Sequence, residues 1–240
     1  MQRSKTQNRI GLLTETLPIP ANLSRKFNFL EEVELPRVAV SAYPLRKRLF
    51  DIAGSFILFI FSLPLWPIIA LMILVEDGFP IFVRIPRVSG GKIIHVVKFR
   101  SMTKGAHALK PALRHMNERA DGPFFKMAHD PRLLQMGKLI RRFRVDEIPQ
   151  FLNVLSGSLS LVGPRPHEPE EVAEYPKEYR AVPQARAGVT GLSQISGASS
   201  LPFLKELQID RDYLKDWSLA SDFRILFLTF FIFFFDPTGV

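Results

Sequence analysis

The chain has 240 residues, 32 Lys+Arg against 23 Asp+Glu, 47% hydrophobic residues and no cysteine. That apolar content excludes disorder throughout, and the missing cysteine excludes disulfide scaffolds, thiolate zinc sites and thiol nucleophiles. The net charge of +9 is concentrated in the first 150 residues, a surface that favours anionic partners such as phosphates or acidic lipid.

Residues 1–44 contain Pro18, Pro20, Pro36 and Pro44, show no sustained periodicity and carry no signal-peptide core. They read as a partly ordered extension. Arg46-Lys47-Arg48 then opens a new region, in which residues 52–75 hold no charge. This run is long enough to cross a hydrocarbon layer of about 30 Å as a helix. Ser62-Leu63-Pro64-Leu65-Trp66-Pro67 interrupts it. Two prolines remove two backbone donors, and Ser62 can hydrogen-bond a freed carbonyl. The break leaves either a kinked span or a re-entrant hairpin. The basic cluster at 46–48 and a second one (Arg84, Arg87, Lys92, Lys98, Arg100) both favour the cytoplasm, which favours the hairpin.

Residues 80–102 place β-branched and aromatic residues on either side of Gly90-Gly91, the pattern of a β-hairpin. Residues 103–135 are mixed, and 136–144 are basic and amphipathic. In Arg141–Gly157, Ile148, Phe151, Leu152 and Leu155 share one helical face, and Pro149 fits only the first turn. A helix is therefore expected to start at Asp146-Glu147, with Asp146 as N-cap. Its free N–H groups, with Arg141, Arg142 and Arg144, attract phosphate and favour an ionised carboxylate. Adjacent acids there suit a divalent cation or a nucleophile, and equally a plain helix cap.

Leu159–Pro166 reads as a short strand entering a turn that holds Arg165 between two prolines, suited to binding phosphate. Residues 187–197 are rich in small residues that would let backbone approach a ligand, or form a plain loop. Asp210, Asp212, Tyr213 and Trp217 lie in a charged segment that reads as helix. The apolar tail Phe223–Phe235 is too short to span a bilayer and reads as a core or interfacial helix.

In combination, these segments resemble the bacterial sugar transferase family of monotopic phosphoglycosyl transferases. The resemblance rests on Lys47-Arg-Leu-Phe-Asp51 with the broken apolar hairpin, Lys98-Phe-Arg-Ser-Met102, Arg141 through Asn153 with Asp-Glu-Ile-Pro-Gln, and Leu161-Val-Gly-Pro-Arg-Pro166. Val189–Gln194 and Asp210 to Trp217-Ser218 follow in the same order. The sequence departs from the family in separating Ser62 from Pro64, in adding Pro67, and in placing Arg144-Val145 before the acid pair.

The resemblance implies an α+β, mainly helical enzyme. Residues 1–44 would be an extension, 45–77 a re-entrant membrane helix, and 78–240 a cytoplasmic catalytic domain with an interfacial C-terminal helix. It would transfer a sugar 1-phosphate from a UDP-sugar to polyprenol phosphate and release UMP, initiating exopolysaccharide, capsule, O-antigen or glycoprotein glycan synthesis. Asp146 would be the nucleophile and Glu147 its partner, both at a Mg²⁺ site. Lys98, Arg141, Arg165 and Asp210 would line the phosphate site. Membrane lipid is the implied setting, at the cytoplasmic face of the bacterial inner membrane, and a homodimer is compatible with it. Nucleic acid is not an expected partner, despite a pI near 10.0. The rival readings are a single-pass membrane protein with a basic, non-enzymatic polysaccharide- or partner-binding domain, and a Mg²⁺-dependent phosphatase.

Overall fold

A computed structural model describes residues 14–17, 43–197 and 200–235. Most of the 1–44 extension therefore lies outside the described residues. The exceptions are residues 43–44 and one short strand, β1 (Thr14–Thr16).

The apolar run forms two helices, α1 (Leu45–Ser62) and α2 (Leu65–Asp77), bent by 60°. Among the described residues no single helix is long and apolar enough to cross a membrane, whereas this bent pair together meets that test by length and composition. Pro64 and Pro67 explain the break, because neither has an N–H to donate. The Leu63 N–H turns to the Ile60 carbonyl at 3.2 Å. The Ser62 hydroxyl then donates to the Phe59 carbonyl at 2.7 Å and accepts from Trp66 Nε1 at 3.2 Å. Ser62 thus satisfies the oxygen that the break left free, as expected.

Both ends of the hairpin are tied to the same folded domain by cations. Lys47, 4% exposed, contacts Asp51 at 3.1 Å, Asp222 at 2.8 Å and the Val162 carbonyl at 2.9 Å. Arg48 donates to the Val154 and Leu155 carbonyls, and Arg46 lies over the Trp217 ring. At the far end, Arg100 binds Asp77 and the carbonyls of Gly78 and Pro80. Arginines and a lysine that sequence alone assigns to the membrane boundary are thus engaged in protein contacts.

β2 (Phe82–Ser89) and β3 (Lys92–Phe99) form the expected hairpin, with Gly90 and Gly91 both at positive φ. A two-residue turn of that hand matches the twist of the strands. β1 adds to β2 in parallel, so the sheet order is β1-β2-β3. On one face Phe82 and Phe99 pack against Trp66 of α2, alongside Ile69 and Ile73. The opposite face carries Val83, Ile85, Val96 and Lys98.

The longer elements that follow complete the fold, with Ile140 of the first of them packing on the Phe99 face. They are α3 (Gln135–Arg142), α4 (Gln150–Ser156), β4 (Ser160–Val162), β5 (Gly188–Thr190), α5 (Phe203–Lys215) and α6 (Leu219–Phe235). β4 and β5 pair in parallel, so part of the 187–197 segment is strand rather than loop. Its glycines serve backbone-to-backbone packing: a Cβ on Gly188 would lie 2.1 Å from the Gly163 nitrogen, and one on Gly191 2.1 Å from the Gly163 oxygen. α6 is not a core helix, since Phe223, Phe227 and Phe230 are each more than half exposed while Asp222 and Ile225 face inward.

The Lys47 network is saturated. Asp51 also accepts from the Ser160 hydroxyl and the Leu161 N–H, and Asp222 from the Tyr213 hydroxyl and Trp217 Nε1. Removing one partner from such a buried set leaves uncompensated charge and costs roughly 3–5 kcal/mol. Lys47→Met is therefore expected to lower the thermal unfolding midpoint of the purified chain sharply. An unchanged midpoint would show that the ammonium does not hold these elements together.

Candidate active site

The acid pair does not sit where helix periodicity places it. A 3₁₀ turn, Val145–Glu147, carries Asp146 and Glu147, and α4 starts only at Gln150, after Pro149. Asp146 is not an N-cap and makes no capping hydrogen bond. The turn is set by Arg144, which adopts a left-handed conformation (φ 50°) between α3 and the 3₁₀ segment. A non-glycine residue there costs on the order of 1 kcal/mol and persists only where its surroundings impose it.

α4 is then fixed by polar anchors together with part of the apolar face expected from sequence, since Phe151 packs inward beside Val154 while Leu152 does not. Leu152 is 40% exposed, while Gln150, Asn153 and Val154 are buried. The Asn153 side chain accepts from the Val97 N–H and donates to the His95 carbonyl, both at 2.9 Å. It thereby occupies the free edge of β3 as a further strand would. Gly157, with φ 87°, ends the helix as expected.

This docking sets the acid pair beside Lys98. The Lys98 ammonium lies 2.5 Å from Glu147 Oε1 and 3.7 Å from Asp146 Oδ2. Asp146 is buried. Burial pushes its carboxyl above the usual carboxylate range; Lys98 pulls against that, and the neighbouring Glu147 adds to it. The sequence-based expectation that a helix start would lower this pKa is thus overturned, because desolvation dominates and no α-helix begins at Asp146. Glu147 is held below its ordinary value, Lys98 and nearby arginines outweighing burial.

Lys98, Arg141, Asp146, Glu147 and Arg165 all line one cleft of ≈ 390 Å³. Arg141 donates from Nε to the Ser101 hydroxyl at 3.1 Å. Asp210 does not line the cleft. It is buried behind the Pro164–Pro166 turn, where its Oδ2 accepts the Arg165 N–H at 3.0 Å. One turn earlier on α5, Glu206 lies 3.8 Å from Arg165 Nε and 2.9 Å from His167 Nε2. Two acids four residues apart on one helix thus hold the backbone and the guanidinium of Arg165. Ser62, Pro64 and Pro67 belong to the hairpin break, away from the cleft lining.

Sequence reasoning missed Glu206, His167, Glu168 and Lys110. Glu168 is bridged by Arg87 at 3.3 Å and by Lys110, and these cations outweigh burial and hold its carboxyl down at about 2. The i, i+4 spacing of Glu206 and Asp210 was the available signal, but it marks an ordinary helix face equally well.

Among the described residues, no group of three or more His, Asp or Glu could enclose a metal ion. Asp146 and Glu147 nevertheless present hard carboxylate oxygens to the cleft. Mg²⁺ commonly takes one or two protein carboxylates and completes its shell with water and substrate phosphate. The donor set fits that mode.

The bacterial sugar transferase family model matches residues 42–236. The chain is 37% identical over 188 residues to the galactosyl transferase CpsE of Streptococcus agalactiae, covering 76% of this chain and 41% of that protein. It is 35% identical to the undecaprenyl-phosphate galactose phosphotransferase of Salmonella typhimurium, covering 87% and 45%. The chain therefore spans less than half the length of these two curated relatives. It is also 36% identical to the UDP-glucose:undecaprenyl-phosphate glucose-1-phosphate transferase of Caulobacter vibrioides, covering 81% and 71%.

Burial raises the Asp210 carboxyl to about 6, with its hydrogen bonds and a nearby Ser193 hydroxyl only partly offsetting it. A carboxyl whose folded pKa exceeds its unfolded value weakens the fold as pH rises between the two, here from about 4 to about 6. Asp210→Asn should therefore raise the unfolding midpoint relative to wild type at pH 7.5, with the gain vanishing near pH 4. A gain independent of pH would contradict this.

Proposed function

The chain belongs to the bacterial sugar transferase family, and from that premise and the cleft geometry we propose that it transfers a sugar 1-phosphate from a UDP-sugar to polyprenol phosphate, releasing UMP. The observation that carries the reading is a buried carboxylate, Asp146, beside the Lys98 ammonium in a cleft also lined by Arg141 and Arg165. A nucleophile, a cation at the reacting phosphorus and a guanidinium on a stiff turn are what a two-step phosphoryl transfer needs.

In the first step an Asp146 oxygen attacks the phosphorus that bears the sugar. The bond from that phosphorus to the bridging oxygen breaks, and UMP leaves. The sugar phosphate is now esterified to Asp146. In the second step a phosphate oxygen of the polyprenol acceptor attacks the same phosphorus, the acyl phosphate bond breaks, and the carboxylate is restored. Lys98 holds phosphoryl oxygens at Asp146, and Arg165, fixed from behind by Asp210 and Glu206, holds the rest of the diphosphate. Asp146 and Glu147 would hold Mg²⁺, which when bound supplies neutralisation of phosphate charge.

The acceptor is a lipid and the donor is water-soluble, so the site belongs at a membrane surface. Three helices expose apolar residues, among them Leu49, Phe56 and Phe61 of α1, Leu71 and Val75 of α2, and Phe227 and Phe230 of α6. The bend, with Lys47 and Arg100 tying both hairpin ends to one domain, supports a re-entrant hairpin in a single leaflet. It disfavours a span that would separate its ends. The cytoplasmic face of the bacterial inner membrane is the setting in which a UDP-sugar is available. Initiation of exopolysaccharide, capsule, O-antigen or glycoprotein glycan synthesis is the role that fits.

Asp146→Asn should reduce UMP release by on the order of a thousandfold or more while the protein still folds and inserts. Mass spectrometry of wild type quenched with UDP-sugar before acceptor is added should find a sugar phosphate on the Asp146 peptide. Its consistent absence removes the covalent route. For topology, cysteines placed at positions 2 and 120 should both resist labelling from outside intact cells, whereas labelling at 120 alone would mean a true span.

A further inference from the structure

The floor of the cleft contains an acid that the chemistry above does not use. In the sheet, Glu15 pairs with Val83 and Val83 with Lys98, so the three form one row across β1, β2 and β3. Directly paired residues share a face. Lys98 points into the cleft, and Glu15, Leu17 and Val83 line it as well. Leu17 is buried, its N–H bonded to the Arg84 carbonyl at 2.9 Å, so the strand is seated beyond its three paired residues. The family match begins at residue 42, so this part of the floor lies outside it.

Two strand spacings place Glu15 about 10 Å along the sheet from Lys98. If the sugar-bearing phosphorus sits at Lys98 and Asp146, the sugar ring extends from it over the floor. One direction open to it passes across Val83 towards Glu15. Of the other acids along the cleft, Glu168 is engaged by Arg87 and Lys110, Glu206 by His167 and Arg165, Asp130 by Arg132, and Glu171 accepts the Glu168 N–H. Among the described residues no ion pair includes Glu15. A carboxylate repels phosphate but accepts hydrogen bonds from hydroxyl groups, two at a time. Val83 and Leu17 offer an apolar shelf for the C–H face of a ring.

Resting on the transferase reading above, we propose that Glu15 is a specificity-determining residue that binds hydroxyl groups of the donor sugar. The strand β1 thereby gives this chain a sugar contact outside the segment shared with its family.

The test is equilibrium binding of UDP and of UDP-glucose, UDP-galactose and UDP-N-acetylglucosamine to the purified full chain in lipid nanodiscs. It compares wild type with Glu15→Ala and Glu15→Gln, alongside UMP release. Glu15→Ala should weaken the preferred UDP-sugar about tenfold, the size of one hydrogen bond to a charged group. It should leave UDP unchanged or bound more tightly, because a negative charge has left the cleft. Glu15→Gln should fall between. Retained UDP binding also shows that each variant is folded.

Equal weakening of UDP and UDP-sugar, or no change in either, overturns the proposal. Wild-type UMP release with an unaltered Glu15→Ala variant would sink the sugar contact alone. Selective loss of UDP-sugar binding in Glu15→Ala, with a wild type that releases no UMP, would sink the transferase reading and keep the contact. A wild type that binds no UDP-sugar would sink both.

Discussion

The structure depends on one buried ammonium. Lys47 sits among Asp51, Asp222 and the Val162 carbonyl, and those carboxylates in turn collect Ser160, Leu161, Tyr213 and Trp217. Placing an ammonium and two carboxyl groups where water is excluded is expensive, and only complete hydrogen bonding offsets it. The set draws on α1, β4, the end of α5 and the start of α6. An apolar hairpin is thereby given a defined attachment to the rest of the fold.

From that attachment two paths lead to the cleft. One runs along β4 into Gly163 and the Pro164–Pro166 turn, and so to Arg165. The other runs through Arg48, which takes the last carbonyls of α4, while Asn153 fastens the same helix to β3. α4 is consequently held from both sides, and the 3₁₀ turn before it sets Asp146 and Glu147 against Lys98. The nearby sheet separates an apolar layer from a charged one: Phe82 and Phe99 meet α2 on one side, and Lys98 faces the acids on the other.

Much of this could be read from the chain itself. The uncharged run with two prolines, the Gly-Gly hairpin, the glycine stop at 157 and the strand before the Pro-Arg-Pro turn are local signals with local causes, and each element formed where expected. The gathering of Lys98, Arg141, Asp146, Glu147 and Arg165 in one cleft agrees with the family pattern that their motifs carry. What local pattern did not contain was the outcome of competition between distant groups. Periodicity assigned Leu152 inward, but Asn153 had a β-strand edge to satisfy and turned the helix. A helix start was expected at Asp146, but Arg144 in a left-handed conformation made a 3₁₀ turn first. The basic triplet at 46–48 reads as a cytoplasmic flank of the apolar run because Asp222, the partner of Lys47, is remote in sequence. The resemblance set Asp210 at the phosphate site, whereas its carboxylate lies behind the turn and holds the Arg165 N–H.

The glycines around Gly163 bear on how the domain tolerates change. Where Gly163, Gly188 and Gly191 meet, main chain touches main chain with no side chain between them. The root of the Arg165 side chain is thus registered against peptide groups, which are the same in every protein, and not against the shapes of neighbouring residues. A single methyl group at this junction would displace the backbone that carries Arg165, however well Glu206 holds the guanidinium itself.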